Sequence, residues 1–261
     1  MIFDTHAHYD DEAFDNDRDS LLGSMRENNI GYIVNVGASM RGVEDTVRLM
    51  EKYEYVYGAL GIHPDHAGEM NETAMERLHS LLQHEKAVAA GEIGLDYYWD
   101  KASHEIQKKW FIEQMHLASE LEKPINVHSR EAAQDTFDAI RAEHAKRAGF
   151  AGGIIHCYSG SAEMAKEYIK LGYHIGIGGV VTFKNARVLK EVAAQIPLEK
   201  IVLETDCPYL APVPFRGKRN ASLYLPYVIE EIARIKEIPP EEVERVTFEN
   251  ACRVYRIQGD I

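Results

Sequence analysis

The sequence predicts a single (β/α)8 barrel, a TIM-barrel α/β fold with added helical segments at its C-terminal end, over residues 1–261 as one domain. Three observations predict it. Eight short apolar runs alternate with helix-like stretches along the whole chain, the order that builds a parallel sheet. The 261 residues suit one such barrel, and no linker rich in Pro, Gly or Ser divides them. Residue types that bind metals recur where the apolar runs stop, and a barrel carries its active site at the C-terminal ends of its strands. An open doubly wound sheet is the competing fold. It would leave the first and last strands apart, although candidate ligands stand on both.

The elements follow in order. Residues 1–10 form the first strand, an apolar run that ends in His6 and His8. Strand residues two apart share a face, so both imidazoles aim the same way, and imidazole suits Zn, Mn, Fe and Ni. A helix is expected over 17–29, on the stripe Leu21, Leu22 and Met25. The second strand, 32–37, lies between Gly31 and Gly37, and a helix over 42–53 follows it. The third strand, 55–63, stops at Gly61-Ile62-His63-Pro64, before a helix over 73–84. The fourth, 87–96, carries Gly91-Glu92-Ile93-Gly94-Leu95-Asp96 and precedes a long helix over 103–121. The fifth, 124–130, carries His128, with a helix on to 146. The sixth, 153–159, carries His156, with a helix over 161–171. The seventh, 173–179, is rich in glycine and leads to a helix over 185–194. The eighth, 201–206, carries Glu204 and Asp206. A proline-rich, basic loop over 208–220 and helices over 223–235 and 240–255 close the chain.

Composition narrows the function. Apolar residues make up 45% of the chain, as in a globular protein. No apolar run approaches the ~20 residues of a membrane span, and no basic-then-apolar leader opens the sequence. The three cysteines, Cys157, Cys207 and Cys252, are odd in number and far apart, which reads as reduced thiols of a cytoplasmic protein. A net charge of −13 excludes an extended basic coat for nucleic acid. It leaves nucleic acid open as a substrate, because bound divalent cations invert the local field.

Strand ends supply His6, His8, His63, Glu92, His128, His156, Glu204 and Asp206. That is more than one tetrahedral ion with an open position takes. It suits two ions sharing a bridging group, which activate a hydroxide and clamp the attacking and leaving oxygens. Glu92, in the middle of the set, is the expected bridge. Each residue also has a plain structural reading. A strand-end histidine is often a satisfied core or surface residue, and His63 before Pro64 suits a turn. Glu92 suits a buried ion pair, and Thr205-Asp206 suits a cap.

Three segments carry a family resemblance: Ile2-Phe3-Asp4-Thr5-His6-Ala7-His8-Tyr9-Asp10, Lys123-Pro124-Ile125-Asn126-Val127-His128-Ser129-Arg130 with Asp135 beyond, and Ile201-Val202-Leu203-Glu204-Thr205-Asp206-Cys207-Pro208. Together they resemble the motifs of TatD-family metal-dependent deoxyribonucleases, within the amidohydrolase-like barrels. Gly61-Ile62-His63-Pro64, Gly91-Glu92-Ile93-Gly94-Leu95-Asp96 and His156-Cys157-Tyr158-Ser159-Gly160 fit as well, so the resemblance covers nearly the whole chain. It implies a divalent-metal barrel that hydrolyses DNA phosphodiesters, often as an exonuclease, with His6, His8, Glu92, His128, His156 and Asp206 as ligands. One departure stands out. Arg216-Gly217-Lys218-Arg219-Asn220 is followed by Ala221-Ser222, where the family has an acidic residue and proline. It bears on that loop and not on the metal site.

The expected function is therefore a metal-dependent hydrolase of DNA, an exodeoxyribonuclease working through a metal-bridging hydroxide on single-stranded DNA or ends. His6, His8 and Asp206 would hold one divalent ion, His128 and His156 the other, and Glu92 would bridge. Mixed ligands admit Mg, Mn, Zn or Ni, and a third, weaker ion could use Glu204 or substrate. Asp206 is the expected general base, acting with Glu92. His63, Arg216 and Lys218, in one cationic run with Arg219, are the expected substrate contacts. Glu204 would orient a ligand from behind. Tyr97, Tyr98 and Trp99 either stack on bases or pack over the barrel mouth. Two rival functions remain: a metal-dependent hydrolase of a carbonyl ester or amide, such as aminoacyl-tRNA, and a non-catalytic metal-binding protein. The sequence points to no membrane and no obligate protein partner.

Overall fold

The computed structural model describes residues 1–146 and 150–258. Its strands are β1 (Ile2–Ala7), β2 (Ile30–Gly37), β3 (Val56–Leu60), β4 (Ala87–Asp96), β5 (Ile125–Arg130), β6 (Gly153–Ile155), β7 (Tyr173–Ile177) and β8 (Ile201–Leu203). They pair in parallel, in sequence order. The ring closes where β1 meets the segment after β8. Ala7 and Cys207 form a parallel bridge, and the His8 N–H donates to the Cys207 carbonyl at 2.9 Å. Parallel strands covered on both sides by side chains read as continuous apolar runs, which is why the sequence pattern was clear.

The helices are α1 (Arg18–Gly23), α2 (Met40–Lys52), α3 (Glu72–Leu82), α4 (His104–Glu120), α5 (Ala133–Lys146), α6 (Ala162–Lys170), α7 (Arg187–Gln195), α8 (Leu225–Lys236) and α9 (Pro240–Tyr255). Several start on a polar cap. Ser39, Asn71, Ser103 and Ser161 each accept a hydrogen bond from a first-turn N–H, satisfying a donor the helix cannot pair internally. The last helix, α9, packs back on β1: the Tyr255 hydroxyl donates to the Thr5 carbonyl at 2.9 Å. Among the described residues, no helix is long and apolar enough to cross a membrane.

Two expectations change. The helix expected over 17–29 is shorter: α1 stops at Gly23, and a 3₁₀ turn over Arg26–Asn28 ends at Asn29, whose φ of 65° is left-handed. Glycine costs about 1 kcal/mol inside a helix, and Asn tolerates the left-handed exit. The first, third, sixth, seventh and eighth strands also end earlier than expected, at Ala7, Leu60, Ile155, Ile177 and Leu203, so His8 lies just beyond the first. Cys157 (φ 44°) and Asp206 (φ 56°) leave the strand region altogether. His63, His156, Glu204 and Asp206 therefore stand on the turns that leave the strands.

Candidate metal centre

The six expected ligands meet at the C-terminal mouth of the barrel, with Glu92 between them. Glu92 Oε2 faces His6 Nε2 at 3.5 Å and His8 Nε2 at 3.8 Å. Its Oε1 faces His128 Nδ1 at 2.8 Å, His156 Nε2 at 3.5 Å and His63 Nε2 at 3.8 Å. Asp206 Oδ1 lies 3.4 Å from His8 Nε2 and 3.9 Å from both His6 Nε2 and His156 Nε2. The expected division into two sets is not sharp. His156 stacks on His6 with ring centroids 3.5 Å apart, but lies 6.3 Å from His128. It serves the side of His6 and Asp206 as well as that of His128.

The chemistry of these donors fits divalent cations. His6 Nδ1 meets the Asn126 side-chain oxygen at 3.2 Å, and His8 Nδ1 meets the Val36 carbonyl at 2.8 Å. Each Nδ1 therefore carries the proton and donates. This leaves the two Nε2 lone pairs facing each other at 3.1 Å, with carboxylate oxygens on both flanks. Such a set of acceptors repels itself unless a cation, a proton or a metal ion, sits among them. Ligand atoms from His6, His8 and Glu92, from His6, His156 and Asp206, and from His63, Glu92 and His128 lie close enough to share an ion.

Protonation follows the same demand. Burial pulls His8 down, but Asp206 and Glu92 overrule it and push it up to about 10. Burial likewise opposes His128, and Asp96 and Glu92 raise it to about 9. For Glu92, burial acts upward, and the surrounding imidazoles hold it well below the ordinary carboxylate range. Asp206 is lowered too, against its burial, by His8 first. His6 moves the other way, down, through burial and then the charge of His156. The carboxylates stay ionised and recruit positive charge, which is what a metal centre requires.

His63 differs from the ligands in its tautomer. Its Nδ1 accepts the Asp65 N–H at 3.1 Å, capping the 3₁₀ turn Pro64–Glu69. Burial, with His128, holds it down at about 4. It is thus neutral, with its proton on Nε2, and in that tautomer it presents a donor where the group of His63, Glu92 and His128 would need its lone pair. Glu204 stands behind His156, with Oε1 3.4 Å from Nδ1, and also accepts the Cys157 N–H. Its other oxygen is buried without a partner.

The cationic loop is divided. Arg216 lies over the Phe183 ring at 4.5 Å and Lys218 over Phe215 at 5.8 Å, both exposed. Arg219 is committed elsewhere, making paired bonds of 2.7 and 2.6 Å to the Asp17 carboxylate. Tyr97 packs, stacked on His104 at 3.6 Å with its hydroxyl donating to Asp135. Tyr98 and Trp99 remain 50% and 56% exposed. Sequence reasoning gave no role to Asp96 and Arg130. Asp96 Oδ2 meets His128 Nε2 at 3.0 Å, the partner that fixes an imidazole ligand's ring and tautomer. Its position four residues after Glu92 on the same strand was the available signal.

An eight-stranded parallel barrel with His, Glu and Asp gathered at one mouth defines a metal-dependent hydrolase of the α/β-barrel class. Residues 3–256 match the family described as TatD related DNase, and the chain belongs to that family. YabD of Bacillus subtilis (strain 168), described as an uncharacterized metal-dependent hydrolase, is 43% identical over 98% of this chain and 100% of its own length. YcfH of Escherichia coli (strain K12), described likewise, is 34% identical over 99% and 97%. The crystal structure of YjjV, a TatD homolog from Escherichia coli K12, superposes with a TM-score of 0.91 at 28% identity, covering 98% of each chain.

Proposed function

We propose that the protein is a divalent-metal-dependent exodeoxyribonuclease acting on single-stranded DNA or DNA ends. The observation that carries this reading is the Glu92 carboxylate, one oxygen turned to His6 and His8 and the other to His128, His156 and His63. A carboxylate shared between two imidazole sets suits a pair of divalent ions, with His6, His8, His128, His156 and Asp206 as the other ligands; Mg, Mn, Zn or Ni would serve. Bound there, such ions make water a nucleophile at neutral pH and offset charge on the phosphoryl oxygens.

The chain's own groups supply the rest. Asp206 Oδ1, ionised and facing three imidazoles, accepts the proton of the attacking water. The His63 Nε2–H donates to a phosphate oxygen or the leaving oxygen. Glu204 holds His156 from behind, and Arg216 and Lys218 meet the strand's phosphates. The family description supports DNA as the substrate. The three unpaired cysteines support a reducing, cytoplasmic setting.

The test is a 5′-labelled single-stranded oligodeoxynucleotide offered to metal-reconstituted protein with Mg²⁺ or Mn²⁺. A ladder of products is expected, reduced about 10³-fold or more in Glu92→Ala and Asp206→Asn. Intact substrate after incubation with folded, metal-loaded protein would overturn the nuclease reading in favour of carbonyl esters or amides.

A further inference from the structure

The turn after β4 holds two aromatic rings in water beside the metal centre, and backbone hydrogen bonds tie it down. Asp96 Oδ1 accepts both the Tyr98 N–H and the Trp99 N–H at 2.9 Å. The other oxygen of the same carboxylate meets His128 Nε2 at 3.0 Å. One carboxylate thus fixes the aromatic turn and a histidine of the centre to each other. The rings stand nearly perpendicular, 86° apart with centroids at 5.0 Å. Burying them instead would gain roughly 25 cal/mol per Å², and the adjacent Tyr97 does pack, on His104.

Arg130 completes the arrangement. It ends β5, two residues beyond His128, and its Cζ lies 4.0 Å from the Tyr98 ring centroid and 5.6 Å from that of Trp99. Among the described residues no carboxylate pairs with it, although the chain carries 42 acidic residues. The guanidinium therefore faces the rings from the end of the strand that also carries His128.

We propose that Tyr98, Trp99 and Arg130 form a stacking shelf for a base of single-stranded DNA, with Arg130 also meeting the phosphate between that base and the centre. This rests on the deoxyribonuclease reading and names its substrate as an unpaired strand. A flat ring face suits a flat base of any sequence. A guanidinium suits both a π face and a phosphate. Paired bases stay stacked on their neighbours and offer no free face.

The chain has two tryptophans, so Trp110→Phe, a change on α4 outside the site, leaves Trp99 as the sole indole reporter. Metal-loaded Trp110→Phe protein is titrated with a cleavage-resistant phosphorothioate oligothymidylate and with an abasic chain of equal length. The base-bearing oligomer is expected to quench Trp99 emission, and the abasic chain to leave it unchanged. In cleavage assays, Trp99→Leu and Arg130→Gln are each expected to raise KM for single strands about tenfold, with the loss falling on KM and not on kcat. Unchanged emission at oligomer concentrations that saturate cleavage, or an unchanged KM in both variants, overturns the shelf and leaves the nuclease reading standing. Absence of cleavage by the unsubstituted protein removes that reading and the shelf with it.

Discussion

At the scale of single residues, the centre is a matter of which nitrogen carries a proton. His6 and His8 give their Nδ1 protons to Asn126 and Val36, and His63 gives its Nδ1 lone pair to a backbone N–H. Residue type alone made all three look alike. The residues that meet at the mouth were legible in the sequence because His, Glu and Asp at strand ends are a matter of type and position. The tautomer of His63 was not, because it depends on a turn that the side chain itself caps. Asp96 and Arg130 were silent for a related reason: each acts through a residue from another element. Asp96→Asn tests the first of these. The Asn oxygen keeps the caps of Tyr98 and Trp99, but the amide would turn a donor toward His128 Nε2–H, where Asp96 Oδ2 now accepts. Partners of metal-ligating histidines are worth about 10- to 100-fold in metal affinity. Calorimetric titration of the chelator-stripped variant with Mn²⁺ or Zn²⁺ should show a loss in that range, and an unchanged affinity would remove Asp96 from the centre.

At the scale of elements, the seam between β1 and the segment after β8 decides whether the site exists, since it brings His6 and His8 to Asp206. Asp4, fully buried on β1, holds it. Its Oδ1 accepts the N–H groups of His6 and Thr205 at 3.3 and 3.0 Å. Its Oδ2 accepts the hydroxyls of Thr205 and Ser222 at 2.7 and 2.6 Å. Burial raises this carboxyl to about 7 even though those four bonds pull it down. Thr205→Val keeps shape and removes the hydroxyl, leaving one Asp4 lone pair and the Cys207 N–H short of a partner. Urea unfolding should show a loss of about 1–3 kcal/mol, and a change under ~0.5 kcal/mol would mean that the seam does not depend on this bond. The sequence showed eight strands because their apolar runs are continuous. It could not show where β6 and β8 stop, because left-handed Cys157 and Asp206 are residue types that strands also accept. The glycine of β7 now has a reason as well. A side chain at Gly176 would sit 2.3 Å from Glu204 Oε2, so Gly176 makes the space Glu204 occupies behind His156.

At the scale of the whole molecule, the charge balance limits how DNA is held. With 42 acidic against 29 basic residues, the net charge works against a broad patch that would neutralise a long backbone. On the proposed reading the cations that would meet phosphates are few: Arg130 at the shelf, and Arg216 and Lys218 on the loop after β8, Arg219 being bound to Asp17. Each phosphate neutralised on a single strand contributes about −0.7 to the slope of log affinity against log salt concentration. Three contacts give a slope near −2, far shallower than that of a protein that coats nucleic acid through six to ten of them. Binding of a cleavage-resistant oligothymidylate, measured from 50 to 400 mM NaCl at constant Mn²⁺, should give that slope. It should also stay the same as the strand lengthens, because all three proposed contacts belong to one short stretch of strand. A slope of −5 or steeper, or one that grows with strand length, would mean that the chain holds DNA along an extended track and not at the single mouth where Glu92 and Asp206 lie.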